Sequence, residues 1–224
     1  PLRGAGLGCG HTGYGCGGLM VSTSAVLQRL ETCLPLDQSP WHTSPGTGGW
    51  PEAAVLVALT DEERPRVILG RRAMHLPLHP GEIAFPGGKR EAEDPCPWAT
   101  ARRESLEEVG LAAGLIRPLG ELSPLITRTG FEVHPCVAQV PVELELVVDP
   151  GEFDSVFMSP LETFADPALF RLEEMSDGTR ARMVPHYQVG KDNVWGVTAA
   201  ILAQLCNVAY DAGLDLQRDW KVKP

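Results

Sequence analysis

Apolar residues in this chain occur mainly as short runs bounded by glycine, proline and small polar residues. Short runs with such boundaries are typical of β-strands. They predict strands at 53–59, 66–69, 116–122, 133–140, 142–148 and 155–158. The turn-forming sequence Ser176-Asp177-Gly178 also predicts a hairpin over residues 175–187.

Helical periodicity occurs in three separate places. The first, 23–34, has an apolar face behind Ser24, which is a suitable N-cap. The second begins at about Pro97, a favourable first-turn residue, and ends before Gly110, which suits a left-handed helix end. The third is apolar and runs from 194 to about 210.

The order of these elements predicts the fold class. Strands outnumber helices, and the long helices lie far apart in sequence. This favours an α+β fold in which a mixed sheet lies between helices, an α/β/α sandwich. Two smaller features lie between the main elements, a proline-interrupted loop through most of 71–89 and a brief helix at 160–164.

We divide the chain into four parts. A glycine-rich tail (1–19) precedes an N-terminal helix and linker (20–50), a main domain (51–213) and a charged C-terminal tail (214–224). The glycine-rich composition of the first part predicts disorder, because it offers few apolar side chains to bury.

Composition limits the functions that this chain can have. Its 224 residues are 43% hydrophobic and 21% charged, as expected for one domain with one core. The net charge of −10 argues against a general binder of nucleic acid or anionic membranes, since both need surplus lysine and arginine. No apolar run approaches the roughly 18 to 20 residues that span a bilayer. Six cysteines without a Cys-x-x-Cys pair favour reduced thiols over structural zinc, so we expect a cytoplasmic protein.

The second predicted helix contains three glutamates on one face, Glu104, Glu107 and Glu108. Like charges this close repel each other, and neither lysine nor arginine follows at a spacing that would pair with Glu107 or Glu108. A divalent cation would neutralise the cluster, since hard cations prefer carboxylate oxygens. The spacing alone also allows a solvated helix face without a ligand.

From Gly88 to Leu111 the sequence resembles the Nudix box, whose core is Arg-Glu-apolar-any-Glu-Glu-any-Gly-apolar. Here Asp94 stands where glutamate is usual, eight residues separate it from Arg103, and Ser105 occupies an apolar position. The additional residue and Asp94 are similar to one branch of the superfamily, the coenzyme A diphosphatase-like Nudix hydrolases. Three further stretches resemble that branch, namely 79–88, 129–135 and 195–199. The resemblance therefore covers roughly residues 50–210.

The resemblance implies a Nudix fold and an enzyme that hydrolyses a diphosphate with Mg²⁺ or Mn²⁺. Glu104, Glu107 and Glu108 would hold the metal, and Glu152 would be a further ligand or base, with a plain loop acid as the alternative. Catalysis would involve Glu107, Glu104 and Arg103, the last by pairing with a glutamate of the box. Residues expected to bind substrate are His79, Gly81, Phe85, Gly87, Gly88 and Lys89.

The implied substrate is coenzyme A or an acyl derivative, cleaved to 3′,5′-ADP and 4′-phosphopantetheine. The branch usually carries an arginine where this chain has Pro77, and Arg71, Arg72, Lys89 and Arg90 are candidate replacements. One alternative is a Nudix hydrolase of ADP-ribose, a dinucleotide or an oxidised nucleotide. The other is a catalytically poor nucleotide-binding module. Each predicts a small-molecule nucleotide derivative as partner, without nucleic acid or membrane, for a monomer or homodimer.

Overall fold

The computed structural model describes residues 24–41, 49–176, 180–216 and 220–222. Three α-helices and twelve strands lie within these ranges: α1 (Ala25–Cys33), β1 (Glu52–Thr60), β2 (Arg66–Arg72), β3 (Ile83–Ala84), β4 (Gly87–Lys89), α2 (Pro97–Val109), β5 (Arg117–Glu121), β6 (Leu125–Ile126), β7 (Glu132–Val140), β8 (Phe153–Pro160), β9 (Phe170–Ser176), β10 (Arg180–Val189), β11 (Asp192–Trp195), α3 (Gly196–Tyr210) and β12 (Trp220–Val222). Short 3₁₀ helices span Ala113–Leu115 and Leu161–Ala165.

Two parallel strands form the centre of the main sheet. β1 and β7 pair along their whole length, from Glu52 opposite Glu132 to Thr60 opposite Val140. The strand order is β3-β2-β1-β7-β5, with β4 on β1, β6 on β7 and β8 on β2. The pairs other than β1–β7 are antiparallel, so the sheet is mixed, as the sequence predicted.

A second, smaller sheet contains β9 to β12, and β10 pairs with each of the other three strands. β9 and β10 are antiparallel and form the hairpin predicted near Ser176, although residues 177–179 of its turn lie outside the described ranges. An ion pair of 2.9 Å between Arg71 Nη2 and Asp192 Oδ2 connects this sheet to β2.

Helices cover both faces of the main sheet. α2 lies on one face, where its buried residues pack with residues of β1 and β7 (Trp98, Ala101, Val109, Leu56 and Cys136). α1 and α3 lie on the other face, above a second apolar cluster (Leu27, Leu30, Leu202, Leu205, Val57 and Val137). The predicted α/β/α arrangement of the α+β class is therefore confirmed, because two apolar faces of one sheet each require a covering layer.

The predicted bounds of α2 agree with the structure at both ends. Pro97 occupies the first turn, and Gly110 adopts φ 68°, a left-handed conformation that glycine reaches without steric cost. The N-cap of α1 was also predicted correctly, since the amide of Leu27 donates to Ser24 Oγ at 3.4 Å.

The strand predicted at 142–148 is wrong. Its amides hydrogen-bond to a helix end instead, with Val147 N–H donating to Val109 O at 3.0 Å. Two residues further on, Asp149 N–H donates to Glu108 O at 2.9 Å. The alternating residues Leu144, Leu146 and Val148 still bury their side chains in part, against the cluster beneath α2. The alternation of apolar and polar residues therefore indicates which side chains are buried, but it does not show that the backbone pairs as a strand.

Three other expectations need adjustment. The loop expected over 71–89 contains the short strands β3 and β4. The last helix begins at Gly196 rather than 194, because β11 continues to Trp195. The charged C-terminal tail contains β12, while the glycine-rich tail (1–19) lies outside the described residues. None of the described helices has the length and apolar character needed to cross a bilayer.

Candidate active site

The glycine pair lies directly against the acidic face of α2. β4 pairs with β1, which places Gly87 opposite Val55 and Gly88 opposite Ala54. The amide of Gly87 donates a 2.8 Å hydrogen bond to Glu108 Oε2. A side chain at Gly88 would overlap the carboxylate of Glu104, so only glycine permits this approach. The predicted residues Gly87, Gly88, Glu104 and Glu108 therefore come together.

Glu108 is a buried acid with few compensating groups, and it is only 5% exposed. Burial raises its pKa to about 8, and the neighbouring carboxylates of Glu104 and Glu152 act in the same direction. The Gly87 amide and the Arg72 guanidinium oppose that rise only in part. Burial likewise raises the pKa of Glu104, against the opposing effect of Arg103. Each of these carboxylates therefore holds its negative charge at a cost.

Arg103 holds the acidic cluster in place from one side. Its Nε and Nη2 donate to the two oxygens of Asp94 at 3.2 and 2.9 Å, a bidentate pair. Nη2 also lies 3.1 Å from Glu104 Oε1, and Nη1 donates to Glu107 Oε2 at 3.1 Å. A further bond of 3.0 Å reaches the carbonyl of Lys89. Arg103 thus links α2 to β4 and orients two of the three glutamates.

Asp94 anchors this arginine. Burial alone would raise its pKa, but hydrogen bonds from Arg103, the Glu91 amide and Thr100 hold the pKa below its ordinary value. Thr100 Oγ1 donates to Asp94 Oδ2 at 2.9 Å. The sequence presented Asp94 only as a replacement for a usual glutamate. Its anchoring role depends on contacts that the fold creates just before the start of α2.

Glu107 and Glu152 occupy more open positions. Glu107 is half-exposed beside Arg103, and Glu152 lies where its Oε2 is 3.7 Å from Arg72 Nη2. The charge of Glu152 contributes to the raised pKa of Glu108, so the two carboxylates are neighbours. Both side chains have the exposure that a mobile ligand or a proton acceptor at a solvent boundary needs.

The donor set fits a hard divalent cation. Within the described ranges, no three acidic, histidine or cysteine side chains already form a complete ligand set. The buried Glu108 and the partly buried Glu104 nevertheless offer oxygen donors whose mutual repulsion a cation would relieve. Glu107 and Glu152 can supply further oxygens from the exposed side.

The remaining predicted substrate-binding residues lie in three different places. His79 and Gly81 lie on a turn beside β2, where His79 Nδ1 is 3.0 Å from Glu82 Oε2 and the Gly81 amide donates to Arg72 O at 3.0 Å. Lys89 follows the glycine pair, and its Nζ lies 5.2 Å from the centroid of the Phe131 ring. Phe85, by contrast, is buried, and its side chain packs in the apolar core just before the glycine pair in sequence.

Known proteins with related sequences and folds agree with this geometry. A crystal structure of a MutT/nudix family protein from Enterococcus faecalis has a similar fold, with a TM-score of 0.50 and 18% identity over 76% of this chain and 66% of that one. Residues 50–182 match the NUDIX domain. The uncharacterized Nudix hydrolase NudL of Photorhabdus laumondii is 32% identical over 186 residues, which are 83% of this chain and 97% of that protein. This chain belongs to the Nudix family. NudL of Yersinia pestis is likewise 34% identical over 184 residues, covering 81% and 92% of the two chains.

Membership of the Nudix family confirms the predicted enzyme class, a hydrolase of nucleoside diphosphate derivatives. Nudix enzymes generally use divalent metal ions. Two further residues matter for the description of this Nudix hydrolase, Arg72, which the sequence offered only as one of four candidate cations, and Trp50, which the sequence did not single out. Arg72 is the cation that faces Glu152 and Glu108, and Trp50 packs against the turn that precedes β7.

Proposed function

We propose that this Nudix hydrolase cleaves the diphosphate of coenzyme A or an acyl derivative, using Mg²⁺ or Mn²⁺, to 3′,5′-ADP and a 4′-phosphopantetheine product. The observation that carries the hydrolytic part is the contact of the buried Glu108 and the partly buried Glu104 with the glycine pair of β4. The substrate is supported by the resemblance of 79–88 and 129–135 to the coenzyme A branch.

The side chains of the site have separate tasks. A divalent cation, when bound, neutralises the negative charge of the diphosphate oxygens and lowers the pKa of a coordinated water. Glu104, Glu107, Glu108 and Glu152 would hold it. Arg103 fixes the rotamers of Glu104 and Glu107, and the Gly87 amide fixes Glu108. Glu107 is the carboxylate that we assign to accept the proton of the attacking water, since it is the most open of the three on α2.

The arginine that Pro77 replaces has a candidate substitute in Arg72. Arg71 is paired with Asp192, and Arg90 is paired with Glu52 at 2.5 Å. Arg72 instead lies at the acidic cluster, 3.7 Å from Glu152. A guanidinium at this place can contact a substrate phosphate without leaving the site.

A substrate panel tests the proposal. Purified protein with Mg²⁺ or Mn²⁺ is offered coenzyme A, ADP-ribose, NADH and nucleoside triphosphates, and the products are separated by chromatography. We expect 3′,5′-ADP from coenzyme A as the dominant product. Preferential turnover of ADP-ribose or NADH would contradict the proposed substrate but would still support diphosphate hydrolysis. Binding without turnover on the whole panel would leave only a nucleotide-binding module.

A further inference from the structure

An exposed tryptophan lies just before β1 and packs on the turn that precedes β7. Trp50 is 56% exposed, and it is the only exposed one among the four tryptophans whose side chains the structure describes. Its ring packs against Gly130, where an added Cβ would lie 3.0 Å from Cζ3 and 3.1 Å from Cε3 of the indole. Large aromatic rings usually gain stability from burial, so an indole held half in water requires an explanation.

The support under Trp50 is a turn fixed by its own hydrogen bonds. Thr127 N–H donates to Phe131 O at 2.8 Å, and Gly130 N–H donates to Thr127 O at 3.1 Å. The Thr127 hydroxyl accepts a third bond of 2.8 Å from the amide of Phe131. Gly130 adopts φ 81°, which favours glycine, and its missing side chain leaves the space that the indole fills. The indole therefore has a defined position before any ligand arrives.

The turn that supports this indole carries or contacts two cations, in a chain that is acidic overall. Lys89 Nζ lies above the Phe131 ring, and no ion pair of Lys89 occurs among the described residues. Arg128 is exposed on the same turn as Gly130. Phe131 itself packs its ring against the core, so that Trp50 presents the free aromatic face. An aromatic face with neighbouring cations is the combination that binds a base joined to a phosphate.

The distance from the glycine pair suits one nucleotide. Gly88 contacts Glu104 and pairs with Ala54, and Trp50 precedes Ala54 by four residues. Four residues of extended chain span roughly 13 Å. Lys89 projects from β4 on the side opposite to the Gly88 contact with Glu104, because successive side chains on a strand alternate. A substrate would thus cross the short edge strand β4, with its diphosphate at the glutamates.

We propose that Trp50 is the stacking platform for the nucleobase of a nucleoside diphosphate substrate, with Lys89 as the cation between the base and the diphosphate. This rests on the proposed hydrolysis of such a substrate and adds the residue that selects its nucleoside half. Stacking contacts the face of the ring and not its hydrogen-bonding edge, so the platform distinguishes nucleotides from base-free phosphates and discriminates weakly among purines.

Binding of AMP and of ribose 5-phosphate, which lacks the base, tests the platform without any hydrolysis. The wild type is compared with Trp50→Ala, Trp50→Phe and the control Leu115→Ala, which removes another exposed apolar side chain. We expect Trp50→Ala to weaken AMP binding about 5- to 150-fold, the equivalent of one stacked base. Ribose 5-phosphate should bind all variants alike, and Trp50→Phe should retain most AMP affinity. AMP should also quench the indole fluorescence of the wild type but not of Trp50→Ala.

Several results would overturn this assignment. The first is an unchanged affinity for AMP in Trp50→Ala, and the second is an equal loss of AMP affinity in the control Leu115→Ala. The third is a loss of ribose 5-phosphate affinity in Trp50→Ala as large as its loss of AMP affinity. The fourth is the absence of AMP binding to the wild type at millimolar concentration. Steady-state kinetics on the substrate found by the panel separate the two proposals. A raised KM with a retained kcat in Trp50→Ala supports the platform, and an unchanged KM refutes it while hydrolysis stands. If the wild type cleaves no diphosphate, the proposed function fails while the AMP measurement still decides the role of Trp50.

Discussion

At the residue scale, the site is defined by two carboxylates that the fold buries at a cost. Glu108 receives one hydrogen bond, from the Gly87 amide, and Glu104 lies beside Arg103. Buried acids with raised pKa values are common where a protein binds a cation or transfers a proton. Glu107, although it belongs to the same sequence motif, lies on the open side and has a different environment. The three glutamates are therefore not equivalent.

Glutamine substitutions should separate the acids of the site from acids elsewhere. We expect Glu108→Gln and Glu107→Gln each to lower kcat/KM by roughly 10² or more, the range for loss of a preorganised electrostatic group. Thermal stability should change little, since Glu108→Gln removes repulsion and Glu107→Gln weakens only a solvent-exposed ion pair with Arg103. The control Glu63→Gln alters an exposed acid in the turn between β1 and β2 and should keep full activity. Wild-type turnover in Glu108→Gln would contradict the assigned site.

Metal affinity should depend on pH through Glu108. In the metal-free protein burial raises the pKa of Glu108 to about 8, so below that pH its carboxyl group must lose a proton before it can bind a cation. The Kd for Mn²⁺ should therefore fall as pH rises from 6 to 8, by up to about tenfold per pH unit. Calorimetry in buffers of different ionisation enthalpy measures both the Kd and the proton released. A Kd that does not depend on pH, with no proton released on binding, would contradict a raised pKa for Glu108.

At the element scale, the short strand β4 connects the sheet to the acidic helix. Gly87 is enclosed by backbone, with Val55 Cα 2.6 Å from the position of an added Cβ. Gly88 faces only the carboxylate end of Glu104, which can turn aside. Two adjacent glycines are thus required for different reasons, one for folding and the other for the position of a reactive group.

Alanine substitutions in β4 should distinguish these reasons. Gly88→Ala should reduce activity at least tenfold with little change in Tm, because the displaced group is a flexible side chain. Gly87→Ala should lower stability by several kcal/mol, because the backbone of β1 cannot move away. Gly114→Ala is the matched control, since nothing lies within 4 Å of its added Cβ. Equal losses of Tm in the two β4 variants would refute the distinction.

The elements show what sequence patterns could predict and where they fail. α2 was predicted to the residue because its signals, Pro97 and Gly110, act through local backbone geometry. The proposed catalytic residues and the glycine pair came from the resemblance to a family motif, and their catalytic roles stay a prediction. β4 was missed because its pairing depends on β1, a partner some 30 residues away in sequence. Residues 142–148 were misread because alternation reports which side chains are buried and not which backbone groups pair. No sequence pattern singles out Trp50, because the position of its side chain depends on a contact with Gly130, which is distant in sequence.

At the scale of the whole molecule, polar contacts tie α2 to more than one part of the fold. At its first turn, Trp98 Nε1 donates a 2.6 Å hydrogen bond to Glu121 Oε1 on β5. At its last turn, the carbonyls of Glu108 and Val109 accept the amides of Asp149 and Val147. The helix that carries the three glutamates is thereby fixed at both ends, as the proposed site, which must keep its geometry, would require.

Stability of the whole molecule should depend on pH through Glu121. Burial raises its pKa to about 7, despite the hydrogen bond from Trp98, and the charge of Asp37 adds to the rise. The folded state then binds this proton more tightly than the unfolded state, so stability falls as pH rises from about 4.5 to 7. Glu121→Gln should raise stability at pH 8 by on the order of 1 kcal/mol, or roughly 2–4 °C in Tm. At pH 5 it should change little. Equal Tm shifts at both pH values would contradict this.

The repulsion between Glu104 and Glu108 has a consequence beyond chemistry. Without an ion, the folded chain must either bear that repulsion or hold a proton on Glu108, whereas a bound cation would compensate both carboxylates and would therefore stabilise the fold as well as take part in the reaction. The supply of free divalent ions would then govern how much native enzyme a cell maintains, and not only how fast each copy turns over.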